Sequence, residues 1–426
     1  MHLQRQREVQ LMNYKGKVKE YIFNNMVTIL FVILCIAGLC VSGQPIPLVL
    51  NELMARIARN SFLVLALIIP VIAGMGLNFG IVLGAMAAQI VIIAVTHWGI
   101  KGIPGFLLCV VLTTPLAMIF GYFTGKLLNK TKGQEMITSM ILGYFANGLY
   151  QLLFLFLVGT LIPMKDPVLM VSGGIGVKNT VDLTGGIKYA LDNILNRTLY
   201  YIIYNLAIVA IVVSLVLVVY CVFKKRQRLK RYILICASSV IVFVLCQINS
   251  IALVLDSINV PVITMLVIMA LCIFNIVIFR TKLGQDFRTV GQDQTVANAS
   301  GINVDKVRIK AIVISTVLAA WGQLIFLQNI GTLNTYGSHE QVGMFAIAAI
   351  LIGGATVSKA TNKQAILGVI LFHTLFIVSP TAGKNLFNNA QIGEYFRVFV
   401  AYGVICVSLV LYAWKDYVKR KSLVKL

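Results

Sequence analysis

The sequence predicts an all-α polytopic membrane protein with about ten to twelve transmembrane or half-membrane helices, and two observations carry this prediction. Of the 426 residues, 59% are hydrophobic and only 12% are charged, whereas soluble domains contain about 45–50% apolar and about 25% charged residues. Long apolar runs alternate with short basic clusters along the chain, which is typical of many spanning helices. A water-facing fold could not bury this much apolar surface.

Twelve apolar runs define the predicted helices in chain order. They cover residues 26–43, 61–75, 79–97, 104–125, 137–162, 199–223, 232–252, 260–279, 311–330, 342–356, 364–379 and 398–414. We therefore expect an N-terminal tail at 1–25, a transmembrane domain at 26–414 and a C-terminal tail at 415–426. The longer connections are an extracytoplasmic loop at 163–198, a basic cytoplasmic loop at 224–231 and a cytoplasmic loop at 280–310.

The net charge of +22 comes from 36 Lys and Arg against 14 Asp and Glu, and its placement indicates topology rather than nucleic-acid binding. If the N-terminus is cytoplasmic and each run crosses once, 27 of the 36 basic residues lie on the cytoplasmic side. Membrane proteins keep such an excess of Lys and Arg on that side. The sequence therefore predicts that both termini are cytoplasmic.

Two runs, 61–75 and 342–356, are about 15 residues long, although about 20 residues are needed to cross the hydrocarbon core. Each leads into a glycine-rich break, the first at 74–80 and the second at 353–358. Short segments with glycine breaks at corresponding places in two halves are typical of a translocation pathway. We expect the pathway to be shaped or lined by Gly76, Asn78, Gly80, Gln151, Gln323 and Gly354.

The polar residues of the runs favour a neutral solute. By this segment map, all 14 acids lie in loops, in tails or near segment ends, which argues against a proton-coupled carrier because such a carrier needs a titratable relay. Amides such as Asn78, Asn147 and Gln151 lie inside runs instead. Amides suit a sugar or a nucleoside better than an ion, although several amides could simply bond between helices.

Enzyme motifs are incomplete in this sequence. Residues 339–343 (HEQVG) begin like the zinc-protease pattern H-E-x-x-H but end in glycine, so the second ligand is missing. The sequence contains no G-x-x-x-x-G-K-[ST] phosphate-binding loop, and none of its eight cysteines has metal-ligand spacing. We expect no catalytic residue, no metal site and no cofactor in this chain.

The loop at 280–310 is the most informative stretch. Its centre, Gly291–Ile302, predicts a short helix, because Asp293 suits the helix start and Gly301 suits the left-handed conformation at the helix end. A short helix exposed to the cytoplasm could dock a partner. A solvated connecting loop is the alternative.

In this loop the chain resembles a known family. Residues 287–293 (FRTVGQD), Ala297 and residues 300–306 (SGINVDK) resemble the coupling loop of the ABC-importer permeases that carry ribose, other simple sugars and nucleosides. Residues 345–354 (FAIAAILIGG) look like that family's AIAAVVIGG stretch. Residues 134–144 (QEMITSMILGY) resemble its NEVVTTLMLNY run. After Ser358 the chain departs from the family's GGTSLSGGxG pattern.

The resemblance implies a permease subunit of a type II ABC importer in the bacterial plasma membrane. A separate ATPase would bind ATP and Mg²⁺ and grip the loop. A second permease chain, identical or different, would complete the pore, and an extracytoplasmic binding protein would deliver the solute. The residues that the resemblance implies for coupling are Arg288, Gly291, Asp293, Ala297 and Gly301.

Three other classes remain open from the sequence. An ion-gradient-driven secondary transporter of a small polar solute is the main alternative. A membrane enzyme would need a nucleophile or paired acids at the interface, and the sequence shows no such constellation. A non-transporting scaffold subunit also fits.

Overall fold

The computed structural model describes residues 23, 25–223 and 229–423, and in these residues the fold is a bundle of helices with four short strands. The helices are α1 (Met26–Ser42), α2 (Ile46–Ala66), α3 (Ile68–Ile72), α4 (Ile81–His97), α5 (Gly102–Lys130), α6 (Glu135–Leu152, continued by a π-helix at Leu153–Leu157), α7 (Leu199–Phe223), α8 (Leu229–Cys246), α9 (Asn249–Asp256), α10 (Val262–Ile278), α11 (Lys282–Gln292), α12 (Gln294–Ala299), α13 (Val304–Ile330), α14 (Ser338–Ile352), α15 (Asn362–Phe387) and α16 (Ala390–Leu423). The strands are β1 (Thr180–Asp182), β2 (Asn196–Thr198), β3 (Asn259–Pro261) and β4 (Thr332–Asn334).

The lengths of the helices confirm the predicted fold class. Within the described residues, seven helices are long and apolar enough to cross a membrane, or up to nine if each of two bent helix pairs is one span. Three shorter apolar helices, α1, α4 and α14, add to these. Of the predicted tails and loops, residues 1–22, 24, 224–228 and 424–426 lie outside the described residues.

The prediction of a short segment at 61–75 is wrong. That run is the second half of a 27-residue span, Ile46–Ile72, which is about 40 Å long at 1.5 Å per residue. Glu52, Arg56 and Arg59 interrupt the apolar pattern of the first half. The structure pairs Glu52 with both arginines and places the Arg56 guanidinium 4.8 Å from the centre of the Phe376 ring, so the polar residues continue the helix.

Helix α13 is the centre of the bundle and packs against α2, α4 and α5. Small residues allow these backbones to approach closely, as is typical of membrane helix interfaces. A Cβ on Gly84 would lie 2.4 Å from the Thr316 carbonyl oxygen, and one on Gly121 would lie 2.9 Å from the Val313 Cα. The second half of the chain adds α14, α15 and α16, which pack together beside α1 and α2.

The strands hold the loops at one end of the bundle. β1 pairs with β4, and β2 pairs with β3, both antiparallel. These pairs connect the segment between α6 and α7 to the start of α10 and to the end of α13. This end is called the opposite end below, and the end that carries α11 and α12 is called the coupling end.

Candidate functional site

The coupling segment, residues 280–303, folds into two consecutive helices at the end of α10. α11 is bent by 74° from α10 and buries one face through Gly284, Phe287 and Val290. Its opposite face exposes Lys282 and Arg288. The sequence prediction did not include α11, although the spacing of three residues between its buried positions is a helical signal.

The predicted short helix within Gly291–Ile302 is present as α12, Gln294–Ala299. The Asp293 carboxylate caps its start by accepting hydrogen bonds from the backbone N–H groups of Thr295 (2.7 Å) and Val296 (3.1 Å). Gly301 follows its end with a left-handed φ of +79°. The bonds to the Val296 and Thr295 backbone N–H groups lower the pKa of Asp293, because they stabilise the charged carboxylate.

The five residues assigned to coupling divide between two sides of this segment. Arg288, Asp293 and Gly301 are exposed, and the Arg288 guanidinium lies 5.7 Å from the centre of the Phe279 ring. Ala297 is fully buried, and Gly291 is turned toward the bundle. Between the exposed polar residues, Val296 is 56% exposed. The outer side therefore offers both charge and an apolar side chain to a partner.

The inner side of the segment touches the first glycine break. A Cβ on Gly291 would lie 2.0 Å from the carbonyl oxygen of Ile72 and 3.0 Å from the N atom of Gly74. Gly74 has a left-handed φ of +72°, and its own Cβ would lie 2.7 Å from the Gly291 Cα. Backbone therefore lies against backbone at this point, where α3 ends and the break begins.

The two glycine breaks lie side by side at the coupling end. A Cβ on Gly76 would lie 3.1 Å from Val357 of the second break and 3.2 Å from Met136 at the start of α6. The Ser139 hydroxyl of α6 accepts a hydrogen bond from the Phe79 backbone N–H at 3.2 Å. The first break thus joins the coupling segment, α6 and the second break.

Asn78 and Gly80 form the turn that starts α4. The Asn78 side-chain oxygen accepts a hydrogen bond from the Gly80 N–H at 2.9 Å. The Asn78 amide nitrogen is buried and has no hydrogen-bond partner among the described residues. In the second break, Gly354 has a φ of +85°, and its carbonyl oxygen accepts a hydrogen bond from the Gln364 side chain at 2.8 Å.

A buried ion pair connects the start of α13, directly after the coupling segment, to α6. Arg308, in the second turn of α13, is fully buried and donates to Glu135 at 2.5 Å and to the Leu128 carbonyl oxygen at 3.3 Å. Lys132 and Asp305 add an exposed pair at 2.8 Å. The connection between α5 and α6 is therefore fixed to the beginning of α13, directly after the coupling helices.

A second polar cluster joins the middle of α4 and of α6 to the first turn of α14. The ring nitrogens of His339 lie 2.9 Å from the Gln89 side-chain oxygen and 3.0 Å from the Asn147 side-chain oxygen. The Tyr150 hydroxyl donates to Gln89 at 3.0 Å, and the Asn147 amide donates to the Glu340 carboxylate. We call these five residues the central polar cluster.

The depth of this cluster follows from helix geometry. At 1.5 Å per residue, Gln89 lies about 12 Å along α4 from the coupling end, Asn147 about 18 Å along α6, and His339 about 20 Å along α14. The hydrocarbon core is about 30 Å thick. The cluster therefore lies level with the middle of α4 and of α6, at the point where α14 begins.

Glu340 lies in the first turn of α14, which agrees with the expectation that the acids lie in loops, in tails or near segment ends. The same turn contacts β4, because the Ser338 hydroxyl accepts a hydrogen bond from the Asn334 backbone N–H at 3.2 Å. Residues 339–343, which fail as a zinc motif, place His339 in the buried interior and Glu340 at its partly exposed edge. The sequence signal for this arrangement was the polar stretch at 338–341 directly before the apolar run at 342–356.

The remaining two pathway candidates lie apart from each other. Gln151 is partly exposed and follows Asn147 by one turn of α6. Gln323 is fully buried in α13, and neither polar atom of its side chain has a hydrogen-bond partner in the part of the chain that the structure describes. The pathway candidates thus lie in three places. Four are in the breaks at the coupling end, Gln151 is beside the central polar cluster, and Gln323 is alone in α13.

Comparisons with known proteins agree with this architecture. A family model described as the branched-chain amino acid transport system permease component matches residues 49–409. The chain is 30% identical over 155 residues to the probable ABC transporter permease protein YphD of Escherichia coli, which is 36% of this chain and 44% of that protein. No solved structure gives a significant match.

Two further relatives are named for their solutes. The chain is 27% identical over 154 residues to the nucleoside ABC transporter permease protein NupC of Lactococcus lactis, covering 34% of this chain and 47% of that protein. It is 24% identical over 156 residues to the ribose import permease protein RbsC of Bacillus subtilis, covering 36% of this chain and 45% of that protein. The matches span less than half the length of these curated relatives.

Proposed function

Because the chain belongs to the family of branched-chain amino acid transport system permease components, we propose that it is the membrane subunit of an ATP-driven importer for a simple sugar or a nucleoside. ATP would be hydrolysed by a separate subunit. The family match and the relatives named for ribose import and nucleoside transport support this proposal.

The observation that carries the proposal is the two-sided coupling segment. Its outer side exposes Arg288 and Val296 for an ATPase, and its inner side places Gly291 against the backbone of the first glycine break. Movement of the segment by the ATPase would act on the break without any intervening flexible side chain. Arg288, Gly291, Asp293, Ala297 and Gly301 form this coupling unit in the proposal.

The proposed pathway is shaped by Gly76, Asn78, Gly80 and Gly354 at the coupling end. In this proposal, the coupling end faces the cytoplasm and both termini are cytoplasmic. A second permease chain completes the pore, and an extracytoplasmic binding protein delivers the solute to the opposite end. Gln151 lines the pathway between the two ends.

A pull-down in mild detergent tests this function. We expect a P-loop ATPase to co-purify with the chain and to be lost when Arg288 is replaced by glutamate, because the substitution reverses a charge on the exposed face of α11. Replacement of Glu394 by glutamine, on α16 outside the coupling segment, is the control and should retain the ATPase. Solute uptake without any ATPase partner would contradict the proposal.

A secondary transporter is the second candidate, because Glu340 lies level with the middle of α4 and of α6 and has no Lys or Arg partner among the described residues. A titratable carboxylate at this depth is a common part of ion-coupled carriers. The two candidates differ in their energy source. Uptake by the secondary transporter would persist without ATP and would collapse when an ionophore removes the ion gradient.

A further inference from the structure

The central polar cluster has two layers, and the layers differ in their exposure. His339 and Gln89 are fully buried, and Tyr150 is 4% exposed. Asn147 and Glu340 are only partly buried. The buried layer therefore fixes the orientation of the outer layer: His339 lies 3.0 Å from the Asn147 side-chain oxygen, and the Asn147 amide then donates to Glu340.

The outer layer lies on a surface that the helices of this chain leave uncovered. On α6, Tyr144 is 63% and Leu149 is 53% exposed, and Gly148 and Gln151 are also accessible. A carboxylate facing lipid tails is costly, so ionisable residues at this depth face a bundle interior or a water-filled cavity. The face with Asn147 and Glu340 therefore suits a water-filled path against a second chain better than lipid.

The charge of this surface is unbalanced. The structure gives Glu52, Glu135, Asp305 and Glu394 each a Lys or Arg partner, but Glu340 has no such partner among the described residues. Its only described hydrogen-bond partner is the neutral Asn147 amide. A passing anion would be repelled, whereas hydroxyl groups could donate to the carboxylate and bond to the amides of Asn147 and Gln151.

We propose that Glu340, Asn147 and Gln151 form the subsite at which this chain itself contacts the solute, level with the middle of α4 and of α6, and that the subsite accepts neutral hydroxyl-rich solutes and excludes anions. Solute hydroxyls take the place of the Asn147 donor on the carboxylate as the solute passes. The inference rests on the proposed transport function and adds to it a site and a selectivity.

Cysteine labelling tests the water-filled path without knowledge of the solute. In a Gln151→Cys variant lacking the eight native cysteines, we expect a cationic methanethiosulfonate reagent to react faster than an anionic one by on the order of tenfold, because the nearby carboxylate attracts one and repels the other. Adding Glu340→Gln should remove this preference. Adding Glu394→Gln instead, the same chemical change on α16, should leave it unchanged.

Uptake by the reconstituted transporter, with its ATPase and binding protein, supplies the second readout. With D-ribose and uridine as probes, Glu340→Gln and Asn147→Ala should reduce uptake of the transported probe about tenfold, the effect of one lost hydrogen bond to a charged group. Glu394→Gln should not change uptake. ATPase activity of the complex measures assembly in each variant.

The outcomes separate this inference from the proposed function. If the thiol introduced by Gln151→Cys reacts with neither reagent, or with both equally while Glu340 is present, the subsite is wrong, even where ATP-driven uptake is normal. Normal uptake by both cluster variants would overturn it as well. If instead no ATPase assembles with the unaltered chain, the importer proposal fails, whatever the labelling shows.

Discussion

Replacing Gly291 by alanine is the sharpest perturbation of the coupling contact. The new Cβ would lie 2.0 Å from the Ile72 carbonyl oxygen, whereas an ordinary close C···O contact is about 3.3 Å. Since the obstacle is backbone, no side chain can rotate away, and α11 must move outward by more than about 1 Å. Overpacking of this kind costs about 1–3 kcal/mol.

The assay is ATP-dependent uptake in proteoliposomes, expressed as solute transported per ATP hydrolysed. An overpacking cost of about 1–3 kcal/mol lowers the population of the state in which α11 touches the first break by about 5- to 150-fold, and we expect uptake per ATP to fall in proportion. We expect the Gly291→Ala complex to retain its ATPase and to lose most of its uptake. Gly74→Ala should behave in the same way, because its Cβ would lie 2.7 Å from the Gly291 Cα and its φ is +72°.

Gly143→Ala is the matched control. Gly143 is a helical glycine with open space around its Cβ position, so the substitution should preserve uptake. If Gly291→Ala keeps the normal ratio of uptake to hydrolysis at normal expression, the contact between α11 and the first break does not transmit movement, and this reasoning is refuted.

Three further predictions concern the same end of the bundle. Arg288→Glu should abolish uptake while the chain stays in the membrane, and normal uptake at normal expression would exclude Arg288 from coupling. Asp293→Ala should speed hydrogen exchange in α12, whereas Asp293→Asn, which keeps a capping oxygen, should not. Because the pKa of Asp293 is lowered, the charged cap should persist as the pH falls through the usual carboxyl range and should be lost only below it. Melting of α12 near the ordinary Asp pKa would contradict the geometry. Glu135→Ala should destabilise the detergent-solubilised chain by about 3–5 kcal/mol, because Arg308 would be left buried without its partner. In thermal unfolding, the double variant with Arg308→Met should recover part of this loss. Equal stability of the single variant and the unaltered chain would show that the pair contributes nothing.

Much of the fold could be predicted from hydrophobic runs, because most spanning helices are also continuous apolar runs. The boundaries of α7, Leu199–Phe223, coincide with the predicted run at 199–223. Helices that contain charged residues depart from this rule: Glu52 and Arg56 pair inside α2, and α13 begins at Val304, seven residues before the predicted run. A prediction from apolar runs misses such pairs, because it ends a helix at every charged residue.

The site could be predicted only where local chemistry determines it. Asp293 and Gly301 cap α12 through interactions within a few residues, so their roles were readable from the sequence. The contact of Gly291 with Gly74 joins positions more than 200 residues apart. The central polar cluster likewise depends on contacts between three helices, α4, α6 and α14.

ATP-driven uptake in sealed proteoliposomes tests the central claim most directly. The chain is reconstituted with its co-purifying ATPase and binding protein, ATP is supplied on the ATPase side, and an ionophore removes every ion gradient. An importer should accumulate the solute under these conditions and should stop when the ATPase is inactivated. Uptake that needs no ATP and disappears with the ionophore would contradict the account and indicate a gradient-driven transporter.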